Sequence, residues 1–258
     1  MGIGELLDAA IKLYRSQWKS LMAIVAILLL PITFLQAFFT RSLGGPFATQ
    51  PPAASPTGFE GVFVAAVILG VIQFLFVQPF LTAAVARAST DAYLGNRVLV
   101  GPTFRFALSR VHSILWISLL TSLAAVVGFI LLVIPGIIVL VRFAFGSTIL
   151  VVERRKGTKA LGRSWGLAKG HFWRLLGAFL LAFIMAGVVA SILSIPGNLA
   201  FSAVGPSGWP LAALGDSLAA ILTTPFTTLI TVLLYFDLRI RKEAFDLDVM
   251  AQEIASTR

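Results

Sequence analysis

Six long apolar stretches, over residues 20–39, 62–85, 113–134, 136–152, 175–195 and 212–236, constrain this chain more than any other feature. A helix needs about 20 residues to cross a hydrocarbon core of about 30 Å, and each stretch meets or approaches that length. No soluble fold can hide so much apolar surface. Hydrophobic residues make up 58% of the chain and charged residues 12%, against about 45–50% and about 25% in a soluble domain. The sequence therefore predicts an all-α integral membrane protein with six transmembrane helices. Pro135 and Gly136 leave no room for a loop between the third and fourth spans, which predicts a tight hairpin. The first span is too long, and too poorly followed by small residues, to read as a cleaved leader.

Basic residues set the orientation. Lys12, Arg15 and Lys19 precede the first span, and Arg87, Arg97, Arg105 and Arg110 separate the second from the third. Seven more lie between Arg154 and Arg174, and Arg239, Arg241, Lys242 and Arg258 close the chain, whereas the opposite side carries only Arg41. This asymmetry predicts a multi-pass protein of the cell inner (plasma) membrane with both termini cytoplasmic. The net charge of +9 is explained by topology and anionic headgroups, so no nucleic-acid partner is expected. The outer connections, at 40–61 and 196–214, are rich in Gly, Pro, Ser and Ala and offer no catalytic set.

An amphipathic segment precedes every second span. Ile3, Leu6, Leu7, Ala10, Ile11, Tyr14 and Trp18 oppose Glu5, Asp8, Lys12, Arg15 and Lys19. Phe104, Ala107, Leu108 and Val111 oppose Arg105, Ser109 and His112, and Leu161, Trp165, Ala168 and Phe172 oppose Lys156, Lys159 and Arg163. These read as three interfacial helices. The span after each is interrupted or ended by proline, at Pro31, Pro135 and Pro196, and the partner spans echo one another in "VQPFLTAA", "VRFAFGST" and "TTPFTTLI". We read a threefold internal repeat of interfacial helix plus transmembrane hairpin within one membrane domain spanning 1–258. The units run over approximately 1–95, 101–157 and 158–245, with a cytoplasmic tail over 246–258. Similarity of apolar composition alone is the competing explanation.

The echoes align Gln78, Arg142 and Thr224, and around a common axis these side chains would face one another as a candidate lipid or substrate site. An arginine at mid-span costs about 2.5–3.5 kcal/mol, so Arg142 needs a partner or water. Asp216 and Glu60 are the carboxylates available as ion-pair partners on the outer side. Three roles stay open for Arg142: structural ion pair, contact with an anionic headgroup or substrate, or a side chain that snorkels to the surface. Pro79 and Pro225 are expected to kink their spans, either in a gating role or because proline is simply common in membrane helices.

Chemistry has little to work with. The chain has no cysteine, and its only histidines, His112 and His171, lie in the interfacial segments without clustered carboxylates. Neither a metal site nor a cofactor is expected, and no acid–base pair or phosphate-cradling loop supports an enzyme.

The runs "PFTTLITVLLYFDLRIRKEAFDLDVMA", "ERRKGTKALGRSWGLAKGHFWRLLG", "GELLDAAIKLYRSQWKSLM" and "PGIIVLVRFAF" resemble the bacterial glycerophosphoryl diester phosphodiesterase membrane-domain family. In some members such a module precedes a phosphodiesterase barrel that uses His and Glu. The resemblance implies a stand-alone membrane module here, with no barrel and no activity carried over. The expected function is a non-enzymatic membrane protein that binds or organises anionic inner-leaflet lipid, or scaffolds a protein partner. Lys12, Arg15, Lys19, Arg105, Arg110, Lys159, Arg163, Trp165, Lys169, Trp173 and Arg174 would contact headgroups. The alternative is a small-molecule or lipid transporter with a polar cavity near Arg142.

Overall fold

The computed structural model describes residues 2–42, 70, 77–155 and 157–243, and these are helical with no strand among them. The helices are α1 (Ile3–Ser42), α2 (Gln78–Tyr93), α3 (Val100–Ser109), α4 (Val111–Leu131), α5 (Val133–Phe143), α6 (Gly146–Val152), α7 (Thr158–Ala168), α8 (Phe172–Val204) and α9 (Trp209–Glu243). Among the described residues five spans are long and apolar enough to cross a membrane: Gly4–Phe34, Val111–Leu131, Val133–Val152, Phe172–Val204 and Pro210–Glu243. The protein is thus a multi-pass membrane protein by length and composition. The span expected over 62–85 lies largely outside the described residues, which include its end only from residue 77.

Each amphipathic segment is helical, and each meets its span at a break of the same shape. The backbone sits at φ −126°, ψ 18° at Gln17, at −117°, 9° at Arg110 and at −120°, 20° at His171. These values lie near the sparsely occupied bridge region, which interrupts the helical ladder and re-aims the chain. The amides of Arg110 and His171 bond three residues back instead, to Ala107 and Ala168, both at 3.2 Å. Burial follows the same register. Four residues after the breaks, Leu21, Ile114 and Leu175 are 0–1% exposed; seven residues before them, Ala10, Thr103 and Ser164 are 0–2% exposed. The short helix α3 packs on α2, the short helix α7 packs on α5 and α6, and the long α1 packs on α9.

The α4–α5 hairpin is tighter than the sequence suggested, and it turns earlier. Leu132 alone joins the helices, in an extended conformation (φ −171°, ψ 155°). Pro135 therefore falls in the first turn of α5, where its missing N–H has no intrahelical acceptor to lose. The helices touch through glycine: a Cβ on Gly128 would sit 2.9 Å from the Gly136 Cα, and one on Gly136 would sit 2.6 Å from the Phe129 ring.

The outer connection expected over 196–214 shrinks to the four-residue 3₁₀ turn Gly205–Gly208. Helix α8 continues through Pro196, and the residue after the proline is closely packed. Gly197 lies against α9, where a Cβ would come within 2.6 Å of the Leu211 carbonyl oxygen. Pro31 and Pro225 likewise sit inside helices. At the core's centre Phe145 and Tyr235 are fully buried, with ring centroids 6.5 Å apart and Phe179 at 6.1 Å from Phe145.

Candidate functional site

Arg142 stands where the fourth span breaks. Helix α5 ends at Phe143 and α6 begins at Gly146, so backbone groups between them lose their helical partners. Ser164 of α7, 0% exposed, replaces those partners. Its hydroxyl donates to the Arg142 carbonyl at 2.6 Å, and its oxygen accepts from the Phe145 amide at 3.3 Å. The next residue, Trp165, takes the Arg142 side chain: the guanidinium carbon lies 4.3 Å from a Trp165 ring centroid, within cation–π range. The Phe143 ring lies against the same indole at 5.4 Å, tilted by 51°. The Arg142 Nε is buried and has no hydrogen-bond partner.

The structure does not gather the other residues aligned with it. Gln78 is exposed at the start of α2, beside an open cleft of about 250 Å³ that Ser147 and Phe143 also line but Arg142 and Thr224 do not. Thr224 is half-buried in α9, where its carbonyl accepts from Thr227 and Thr228, each at 3.0 Å. The expected Arg142–Asp216 ion pair is not formed. Helix α9 turns Ser217 inward to Thr33 at 2.9 Å, which leaves Asp216 exposed. Glu60 lies outside the described residues.

The strongest polar constellation is one that sequence reasoning missed. Glu153, its side chain 8% exposed, receives Arg155 at 2.9 Å and Arg163 at 3.1 Å. The Tyr235 hydroxyl donates to Glu153 at 3.0 Å and accepts from Arg239 at 3.3 Å. Arg163 also pairs with Glu243, which Arg239 reaches at 3.2 Å. Burial on its own would lower the Arg163 pKa, but the Glu243 and Glu153 carboxylates outweigh it and raise the value. Beside this cluster Asp237, 6% exposed, holds Arg174 at 2.8 Å and Arg241 at 3.1 Å. Lys242 donates to the Gly166 and Lys169 carbonyls at 2.8 and 2.7 Å. Together these contacts tie the end of α9 to α6, α7 and the head of α8. A signal was present in "YFDLRIRKE", where Tyr235, Arg239 and Glu243, and separately Asp237 and Arg241, stand four residues apart on one helix.

Three residues expected at headgroups are therefore engaged internally: Arg163 and Arg174 in ion pairs and Trp165 beneath Arg142. Arg110 is half-buried at its helix break. Lys12, Arg15, Lys19, Arg105, Lys159 and Lys169 are exposed, and Trp173 is 80% exposed. Lys12 pairs with Asp8 at 3.6 Å, with both side chains open to the surroundings. Among the described residues no group of three His, Asp or Glu side chains could hold a metal ion. No family model matches this chain, and neither a curated protein nor a solved structure does.

Proposed function

We propose that the chain is a non-enzymatic, six-span inner-membrane protein with cytoplasmic termini, and that it binds or organises anionic inner-leaflet lipid. The observation that carries this reading is what remains after internal pairing. Glu153, Asp237 and Glu243 engage Arg155, Arg163, Arg174, Arg239 and Arg241. Arg15, Lys19, Arg105, Lys159 and Lys169 stay exposed, with no carboxylate partner among the described residues. They belong to the three amphipathic helices and their junctions, beside apolar spans, where a basic residue near a charged leaflet contributes about 1 kcal/mol. The matching backbone geometry at Gln17, Arg110 and His171 supports reading those helices as repeated, headgroup-level elements. A scaffold for a protein partner would use the same basic surface.

The test is lipid composition. The protein is extracted with its surrounding bilayer by a styrene–maleic acid copolymer, and the co-extracted phospholipids are compared with the bulk membrane. At least a twofold enrichment of anionic lipid is expected, and bulk composition would remove the reading. A transporter draws less support, because the cleft beside Gln78 is lined by neither Arg142 nor Thr224.

A further inference from the structure

The link between α6 and α7 closes over the start of α4 and leaves an open cleft of about 580 Å³. His112, Ser113 and Trp116 of α4 form one wall; Arg154, Arg155 and Lys159 belong to the other. Among the described residues no acidic side chain lines it. We infer that this cleft binds the phosphate of an anionic lipid headgroup, an assignment that rests on the lipid-binding reading and gives it a specific site.

Local construction supports the assignment. Gly157 adopts φ +55°, and a Cβ there would sit 3.1 Å from Trp116, so glycine lets the link approach the indole and shape the wall. Arg154 also takes a positive φ, 55°, a conformation that L side chains rarely adopt. Arg155 is turned to Glu153 at 2.9 Å, which leaves the exposed Arg154 and Lys159 for a ligand. Helix α7 starts at this point with no side chain capping it, and its first residues Thr158 and Lys159 line the cleft, so the positive end of the helix dipole adds to the cationic side chains, a combination suited to phosphate.

The source of the phosphate follows from what lies above. Trp116, Leu119, Leu123, Val126 and Ile130 are all exposed, and their spacing makes one stripe along α4. A phosphate in the cleft would place its acyl chains along that stripe, with Trp116 at the boundary, the level that tryptophan favours.

The experiment uses the full chain in nanodiscs of phosphatidic acid and phosphatidylcholine, analysed by native mass spectrometry for retained lipid. Wild type should retain phosphatidic acid over phosphatidylcholine. Arg154→Gln/Lys159→Gln should lose that preference at least fivefold, while Arg154→Lys/Lys159→Arg and the distant Arg97→Gln, an exposed basic residue outside the headgroup set, stay within twofold of wild type. An equal loss in the distant variant overturns the cleft and leaves the general lipid reading standing. No preference in wild type overturns both. Displacement of phosphatidic acid by millimolar glycerol 3-phosphate keeps the phosphate site but overturns its lipid source.

Discussion

The Ser164 hydroxyl donates to the Arg142 carbonyl at 2.6 Å, so the short helix α7 closes the break between α5 and α6. Tyr14 makes the corresponding contact elsewhere: its hydroxyl donates to the Leu222 carbonyl at 3.1 Å, one turn from Pro225 in α9. In both places a side-chain hydroxyl donates to a backbone carbonyl of another helix, at a break in one case and beside an internal proline in the other. Substituting Ser164→Ala leaves two buried backbone groups without that partner, at a cost of about 1–3 kcal/mol each. A thermal melt in detergent should fall by several degrees, and an unchanged melt would show that the break tolerates an open carbonyl.

The Arg142–Trp165 contact predicts a measurable coupling. A double-mutant cycle of Arg142→Gln and Trp165→Leu should give about 0.5–2 kcal/mol. Additive single effects would mean that the guanidinium lies over the indole without energetic consequence.

Removing Arg163 should be more damaging than removing any exposed basic residue. Arg163→Gln leaves Glu153, 8% exposed, with less compensation, and breaking a buried pair costs about 3–5 kcal/mol. Lys12→Gln should change stability by under about 0.5 kcal/mol, since surface pairs contribute little. Denaturation of both variants in the same detergent makes the comparison, and equal losses would contradict the burial argument.

The glycine contact of the α4–α5 hairpin predicts intolerance of even one methyl group. Gly136→Ala places a Cβ 2.6 Å from the Phe129 ring, so the ring or the helix must move, and overpacking of this kind costs about 1–3 kcal/mol. The double variant Gly136→Ala/Phe129→Ala should recover part of that loss in a melt. A single variant as stable as wild type would show that the ring moves freely.

The class of the protein was legible in the sequence because its signals are local. A run of apolar residues must be satisfied by lipid or by protein, and a helix is the simplest way to satisfy its own backbone there. Amphipathic spacing likewise marked the segments before α4 and α8 and the start of α1, all of them helical. Proline was the misleading signal. Pro196 suggested an end, yet α8 continues through it, and the close approach of Gly197 to the Leu211 carbonyl beside it is a tertiary feature that no local propensity contains.

The sequence by itself determined that Arg142 lies in apolar surroundings and needs a partner; only the tertiary structure decided which. Depth and charge pointed to Asp216, but α9 turns that carboxylate outward, and the α5–α6 break brings α7 alongside with Ser164 and Trp165 instead. Glu153 followed the same logic, reading as one acid among many bases until folding placed Arg163, Tyr235 and Arg155 around it. Periodicity specifies which face of a helix is apolar, because side-chain direction repeats along one element. The partner of a buried charge depends on the rotation of separate helices about their axes, which only the packed assembly sets.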